Sequence, residues 1–416
     1  MFSVSRKESS SIVAELIFII AGSIFCTPIL SSKPIFMLIS IALYMIYIVQ
    51  HWSIICRKND TVVECTIMFL LIVFVYRFVG ISNAGWSRYF LKLGFFLPVF
   101  IMLTIPSEFS KKSLRRIWWS FVLVSTLNIS YNIYLGIIYP SINTQEVQAM
   151  LEESVLDNLN LGRSPFFTYS LFFFSVCFFV FLNCKLKIEK YFMLICSLIT
   201  AVYICWFCFK ASVVVLFLVT VVLLYFGKGR RRINRFIIIM GIVCGCIFLL
   251  LSLFSNEIIQ MLISISPDER LTGRLITLID SDNSEAYDAT LQGREKLAIL
   301  SVETWLSSPI NFLFGIGDHY VAGLGAASTG IGQHAELIDG LAQYGIIGMG
   351  FFFNLFKKSM DYVALKFKQE FRLQIILIFG VFLLSGLAKY IILPGIGFVL
   401  FILLPLSANY INLNEK

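Results

Sequence analysis

Apolar residues in this 416-residue chain come in long unbroken runs, without the alternation that marks half-buried strands. About 20 apolar residues in helical form cross a hydrocarbon layer about 30 Å thick. Backbone amides in lipid must be bonded within their own segment, so such runs are read as helices. A membrane β-barrel would instead alternate over segments of about ten residues. The runs predict about twelve spans, near 12–30, 35–54, 62–79, 89–105, 117–139, 166–183, 191–208, 211–227, 236–254, 336–354, 373–391 and 394–411. The seventh and eighth come from one run, Tyr191 to Phe226, too long for a single helix, with a turn near Phe209-Lys210-Ala211-Ser212. One long polar stretch, roughly Ser255 to Gln333, interrupts the pattern. The expected class is therefore all-α and polytopic. A nine-helix region covers 1–254, a large loop with amphipathic helices covers 255–335, and a three-helix region covers 336–416.

Composition agrees: 58% of residues are hydrophobic and 14% charged, against about 25% charged in soluble domains. The formal charge of +8 does not point to nucleic acid, because the positive residues cluster in alternate loops. Arg6/Lys7, Arg57/Lys58, Lys111/Lys112/Arg115/Arg116, Lys185/Lys187/Lys190, Lys228 to Arg235, Lys357 to Arg372 and Lys416 all fall on one side of a twelve-span layout. The positive-inside rule makes that side cytoplasmic. Both termini are then cytoplasmic, and the polar stretch lies outside. Arg6 and Lys7 precede an apolar run without a small-residue cleavage site, which reads as a first span rather than a removed signal. The ten cysteines lie within or at the ends of apolar runs and imply neither a disulfide framework nor a metal site.

Candidate chemistry gathers in and beside the polar stretch. It is rich in acids, yet it retains Arg270, Arg274, Arg294 and Lys296. Arg270 and Arg274 share a helix face, and salt bridges with Asp268, Glu269 or Asp280 are as good a reading as substrate binding. Arg294 opens an amphipathic segment that ends before Pro309, and a helix N-terminus suits a phosphate. Lys210 lies where two spans meet on the outer side, either as a functional cation or as a snorkelling one. Arg77, Arg88, Lys92, Arg163 and Lys389 fall at outer span ends and read as interfacial anchors. His319 reads as structural within its glycine turn. His334 stands where the polar stretch re-enters the apolar region, and an imidazole can act as a general base near neutral pH. If a helix starts at His334, Asp339 points about 140° away, so no direct dyad is implied. Glu336 and Asp339 share a face, placed to contact sugar hydroxyls or to pair with the arginines. Asp280-Ser-Asp282 has the spacing of a cation motif but reads as a solvated loop.

Gly293-Arg294, Trp305, Pro309, Phe314-Gly315-Ile316-Gly317 and His334 with Ile338-Asp339-x-x-Ala342-x-Tyr344-Gly345-Ile346-Ile347-Gly348 resemble the O-antigen polymerase and O-antigen ligase superfamily of bacterial envelope enzymes. The His-x-x-x-x-Asp-x-x-Ala-x-Tyr-Gly pattern is most similar to repeat-unit polymerases of O-antigen or capsule. Members often carry a Ser-Arg pair where this chain has Lys210-Ala211-Ser212, so the charge is kept and the bidentate geometry is lost. The resemblance implies a metal-independent glycosyltransferase without cofactors, in the bacterial inner membrane. It would move a growing glycan from undecaprenyl diphosphate to the terminal sugar of another lipid-linked repeat unit. Its partners would be those lipid-linked donors and acceptors, membrane lipids and a chain-length regulator. His334 would serve as base or acceptor-orienting group. Arg294, Lys210, Arg274 and Arg270 would hold the diphosphate, and Glu336, Asp339, Gly315 and Gly317 would bind sugar or support the site. A ligase acting on lipid A core is the near alternative. A lipid-oligosaccharide flippase is the distant one, disfavoured because the charges gather at the outer rim rather than at the bilayer centre.

Overall fold

The computed structural model describes residues 2–27, 30, 33–58, 60–79, 81–82, 86–138, 164–207, 211–227, 296–319, 329–332, 335–387, 389 and 391–411. Among these the regular elements are helices, and no strand occurs. In chain order they are α1 (Phe2–Cys26), α2 (Pro34–Gln50), α3 (Trp52–Lys58), α4 (Asp60–Phe78), α5 (Trp86–Glu108), α6 (Lys111–Ile138) and α7 (Ser164–Asn183). There follow α8 (Lys187–Phe207), α9 (Ala211–Phe226), α10 (296–306), α11 (Pro309–Phe314), α12 (Glu336–Leu365), α13 (Gln369–Gly386) and α14 (Pro394–Ile411). Each segment expected to span overlaps a helix, apart from 236–254, which lies outside the described residues. Among the described residues six helices are long and apolar enough to cross a membrane: Thr61–Phe78, α6, Phe166–Asn183, α8, α13 and α14. Segments 14–26, 34–50 and 212–226 are apolar but shorter.

Burial separates inner from outer helices. α14 and the apolar part of α7 are 89% and 83% buried, against 33% for α8, so α7 and α14 form the middle of the bundle. The centre is aromatic: Phe95, Phe172, Phe356, Phe379 and Phe401 lie in one set of ring contacts. Outer helices turn Ile46, Leu127, Ile195, Leu198 and Leu218 outward. A continuous apolar run therefore serves two surfaces at once, one toward the other helices and one away from them.

Polar groups tie the two ends of the bundle. At one end, Arg116 makes two bonds to the Glu15 carboxylate, at 2.6 and 2.7 Å, and Arg115 pairs with Glu189. Both arginines are more than half exposed while Glu15 and Glu189 are buried, so solvent screens each pair from the arginine side. At the other end meet the C-terminus of α4, the N-terminus of α5 and the N-terminus of α12. The loops flanking these helix ends are the ones poor in lysine and arginine.

Candidate functional site

The site is framed by a broken helix and a turn that docks against the break. α12 runs for 30 residues but is interrupted at Gly345, whose φ of 59° and ψ of −172° are non-helical. A helix that stops leaves its last carbonyls without intrahelical donors. The turn after α11 supplies them: Ile316 N–H donates to Ala342 O at 2.8 Å, and Gly317 N–H donates to Gln343 O at 2.9 Å. The local sequence prepares that turn. Ser308 caps α11 by accepting from Asn311 N–H at 3.0 Å, with Pro309 in the first helical turn. α11 ends at Gly315, with φ of 73°. Trp305 of α10 stacks on Phe312 and donates from Nε1 to Phe312 O at 3.0 Å, holding α10 and α11 together.

The two backbones meet so closely that only glycine fits. A Cβ on Gly315 would lie 2.5 Å from Tyr344 N, and one on Gly345 would lie 2.5 Å from Phe314 N. The motifs Phe314-Gly315-Ile316-Gly317 and Tyr344-Gly345 are thus the two halves of one junction. Gly315 and Gly317 are buried within it.

A buried ion pair locks the junction to α5. Lys92 is 1% exposed; its Nζ donates to Asp318 Oδ2 at 2.7 Å and to the Tyr344 hydroxyl. This corrects the expectation that Lys92 is an interfacial anchor. Its position near the end of an apolar run looks like anchoring until its partner, 226 residues away, is brought beside it. Asp318 is held further by Ser82, whose hydroxyl donates to its backbone carbonyl at 2.6 Å, and Tyr76 donates to Phe314 O. Burial disfavours the Asp318 carboxylate, but the charge and hydrogen bond of Lys92, with Arg88 and His319 nearby, outweigh it and hold the carboxyl below its ordinary range. His319 Nδ1 lies 3.3 Å from Gly317 O, within the turn it was expected to stabilise.

Asp339 and Glu336 sit in the first turn of α12, where acidic residues face the positive end of the helix dipole. Both are buried. Asp339 accepts from Ser301 Oγ at 2.7 Å and from Ala335 N–H at 3.0 Å, while Ser301 Oγ accepts from Gly332 N–H at 2.8 Å. These bonds fasten α10 and the chain at 332 to the start of α12. Asp339→Ala is expected to destabilise the protein by about 1–3 kcal/mol, because it leaves a buried N–H and a buried hydroxyl short of an acceptor. Unfolding in detergent would measure this, and a loss near zero would mean the contacts contribute nothing. Glu336 differs: its N–H donates to Lys389 O at 3.3 Å, but no hydrogen bond or ion pair engages its carboxylate among the described residues.

His334, Arg294, Lys210, Arg270 and Arg274 lie outside the described residues. Gly332 and Ala335, on either side of His334 in the sequence, are buried. Lys92, Asp318, Tyr76 and Ser82 were missed as site residues. The available signal was an aspartate directly after a glycine turn and a lysine within an apolar run. Among the described residues no group of three or more His, Cys, Asp or Glu side chains converges as metal ligands would.

No protein-family model and no curated protein matches the chain.

Proposed function

We propose that this chain is a membrane glycosyltransferase that polymerises polysaccharide repeat units of O-antigen or capsule. In this reading it crosses the bacterial inner membrane twelve times, with both termini in the cytoplasm and the 255–335 loop outside. The supporting observation is the frame at the junction. A glycine turn, a broken helix and a buried Lys92–Asp318 pair are fastened together, and Gly332 and Ala335, which flank His334 in the sequence, are buried. Catalytic groups need rigid support to be effective, and such a frame supplies it.

The growing glycan moves from undecaprenyl diphosphate to a hydroxyl of the terminal sugar on another lipid-linked unit. The acceptor oxygen bonds to the anomeric carbon, and the bond to the diphosphate breaks. Its electron pair leaves with undecaprenyl diphosphate, and the hydroxyl proton passes to a base. Arg294, Lys210, Arg270 and Arg274 offset the charge that grows on the leaving group. His334 receives or orients the acceptor hydroxyl. A chain-length regulator and the surrounding lipids are the expected partners.

The test is a ladder of longer lipid-linked saccharides from purified protein in liposomes, given a lipid-diphosphate-linked repeat unit and no added metal. His334→Ala is expected to lower the rate by about 10²–10⁴-fold, and Arg294→Ala by about 10²–10³-fold. A ladder unaffected by His334→Ala removes that residue from the chemistry. Transfer only to lipid A core would make the chain a ligase. Movement of the intact unit between leaflets without elongation would make it a flippase.

A further inference from the structure

We propose that Glu336 is the group that accepts the proton from the acceptor sugar hydroxyl, an inference that rests on the polymerase reading. Three carboxylates are buried at this end of the bundle. Asp318 is bonded to Lys92, and Asp339 is bonded to Ser301 and Ala335. Glu336 is 5% exposed, and no hydrogen bond or ion pair engages its carboxylate among the described residues. Burying a carboxylate without a bonded partner costs several kcal/mol. The fold gains nothing from that arrangement, and an ionisable group retained at such depth is retained for chemistry.

The surroundings suit a group that exchanges a proton. Burial opposes its ionised form most strongly, and Lys92 and Arg88 of α5 favour that form. Asp318 of the turn and Asp339 of its own helix oppose it, and the Tyr344 hydroxyl belongs to the same electrostatic cluster. A second acceptor lies on the same face. Gln343 is seven residues further along α12, which returns to the same side of a helix. Its Oε1 is buried and without a hydrogen-bond partner among the described residues. Seven residues at 1.5 Å each set the two acceptors about 10 Å apart along the axis. Two unengaged acceptors in a row match the hydroxyl donors of a saccharide.

In the transfer step the acceptor O–H bond breaks and its proton moves to a Glu336 carboxylate oxygen. The hydroxyl oxygen forms the new bond to the anomeric carbon, and the electron pair of the breaking bond leaves on the diphosphate. Glu336 then gives its proton to solvent. His334 keeps the orienting half of its assignment.

The experiment uses the full chain in liposomes with the lipid-diphosphate-linked repeat unit, and compares Glu336→Gln, Glu336→Asp and wild type. Glu336→Gln is expected to lower kcat by about 100-fold or more while KM stays within about threefold, with Glu336→Asp recovering about tenfold of the loss. Glu336→Gln is also expected to melt no lower than wild type, since it puts a neutral group of the same shape in place of a carboxyl with no bonded partner among the described residues. A wild-type ladder that Glu336→Gln matches in rate overturns this inference and leaves the polymerase reading standing. A Glu336→Gln protein that melts well below wild type makes the residue a structural one and overturns it too. Absence of a ladder from wild type removes the polymerase reading, and this inference with it.

Discussion

Lys92→Met is expected to destabilise the protein by about 3–5 kcal/mol, the loss that follows when one partner of a buried ion pair is removed. The substitution conserves volume and apolar stem but leaves Asp318 and the Tyr344 hydroxyl without their cation. The magnitude is that of a buried pair, because the side chains of Lys92 and Asp318 are only 1% and 10% exposed. Lys92→Met, Asp318→Asn and the double variant, compared by unfolding in detergent, measure the coupling. The double variant is expected to be more stable than the sum of the two losses implies. The pair also carries a pH signature. The folded state holds the Asp318 carboxyl below its ordinary value. Its stabilisation is therefore fully present above the ordinary carboxylate range and is lost as pH falls through the lower, folded value. That acid limb is expected to disappear in Lys92→Met. A cost below about 1 kcal/mol would reduce the pair to the worth of a surface bridge.

Gly345→Ala is expected to be the most damaging single methyl group that can be added to α12. A side chain at φ of 59° pays about 1–2 kcal/mol in backbone strain. The new Cβ also meets the backbone of Leu313 and Phe314, which has no rotamer with which to move aside. Overpacking of that kind costs about 1–3 kcal/mol more. Separation of the two backbones also threatens the Ile316–Ala342 and Gly317–Gln343 hydrogen bonds. The expected outcome is loss of monodisperse protein on size exclusion. Gly350→Ala is the control: it lies in the same helix, and a Cβ there meets nothing within 4 Å. Alanine at Gly350 is expected to be neutral or to stabilise by about 0.5–1 kcal/mol. If the two variants behave alike, the close approach at Gly345 is not what holds the junction.

Much of the architecture was legible from local patterns. A helix inside lipid is specified by its own apolar run, because its hydrogen bonds close within about four residues. The segments near 166–183 and 394–411 therefore read correctly as helices without knowledge of their neighbours. The short helix from Pro309 to Phe314 was not read from the sequence, although its Ser308 cap and its stop at Gly315 are local features. The glycine motifs around Gly315 and Gly345 were visible too, as positions that permit close approach.

What they approach was not visible. Gly315 and Gly345 belong to one junction only because α11 packs against α12. Lys92 looked like an interfacial cation, since hydropathy over about 20 residues records where a charge falls and not what it meets. The fold pairs it with Asp318 and turns Asp339 inward to Ser301, and among the described residues no hydrogen bond or ion pair engages the Glu336 carboxylate. The sequence by itself thus determined the helices, their ends and the turn chemistry, because those depend on interactions within a few residues. The tertiary structure decided which buried charges are neutralised, because these pairings depend on groups brought together from distant segments of the chain.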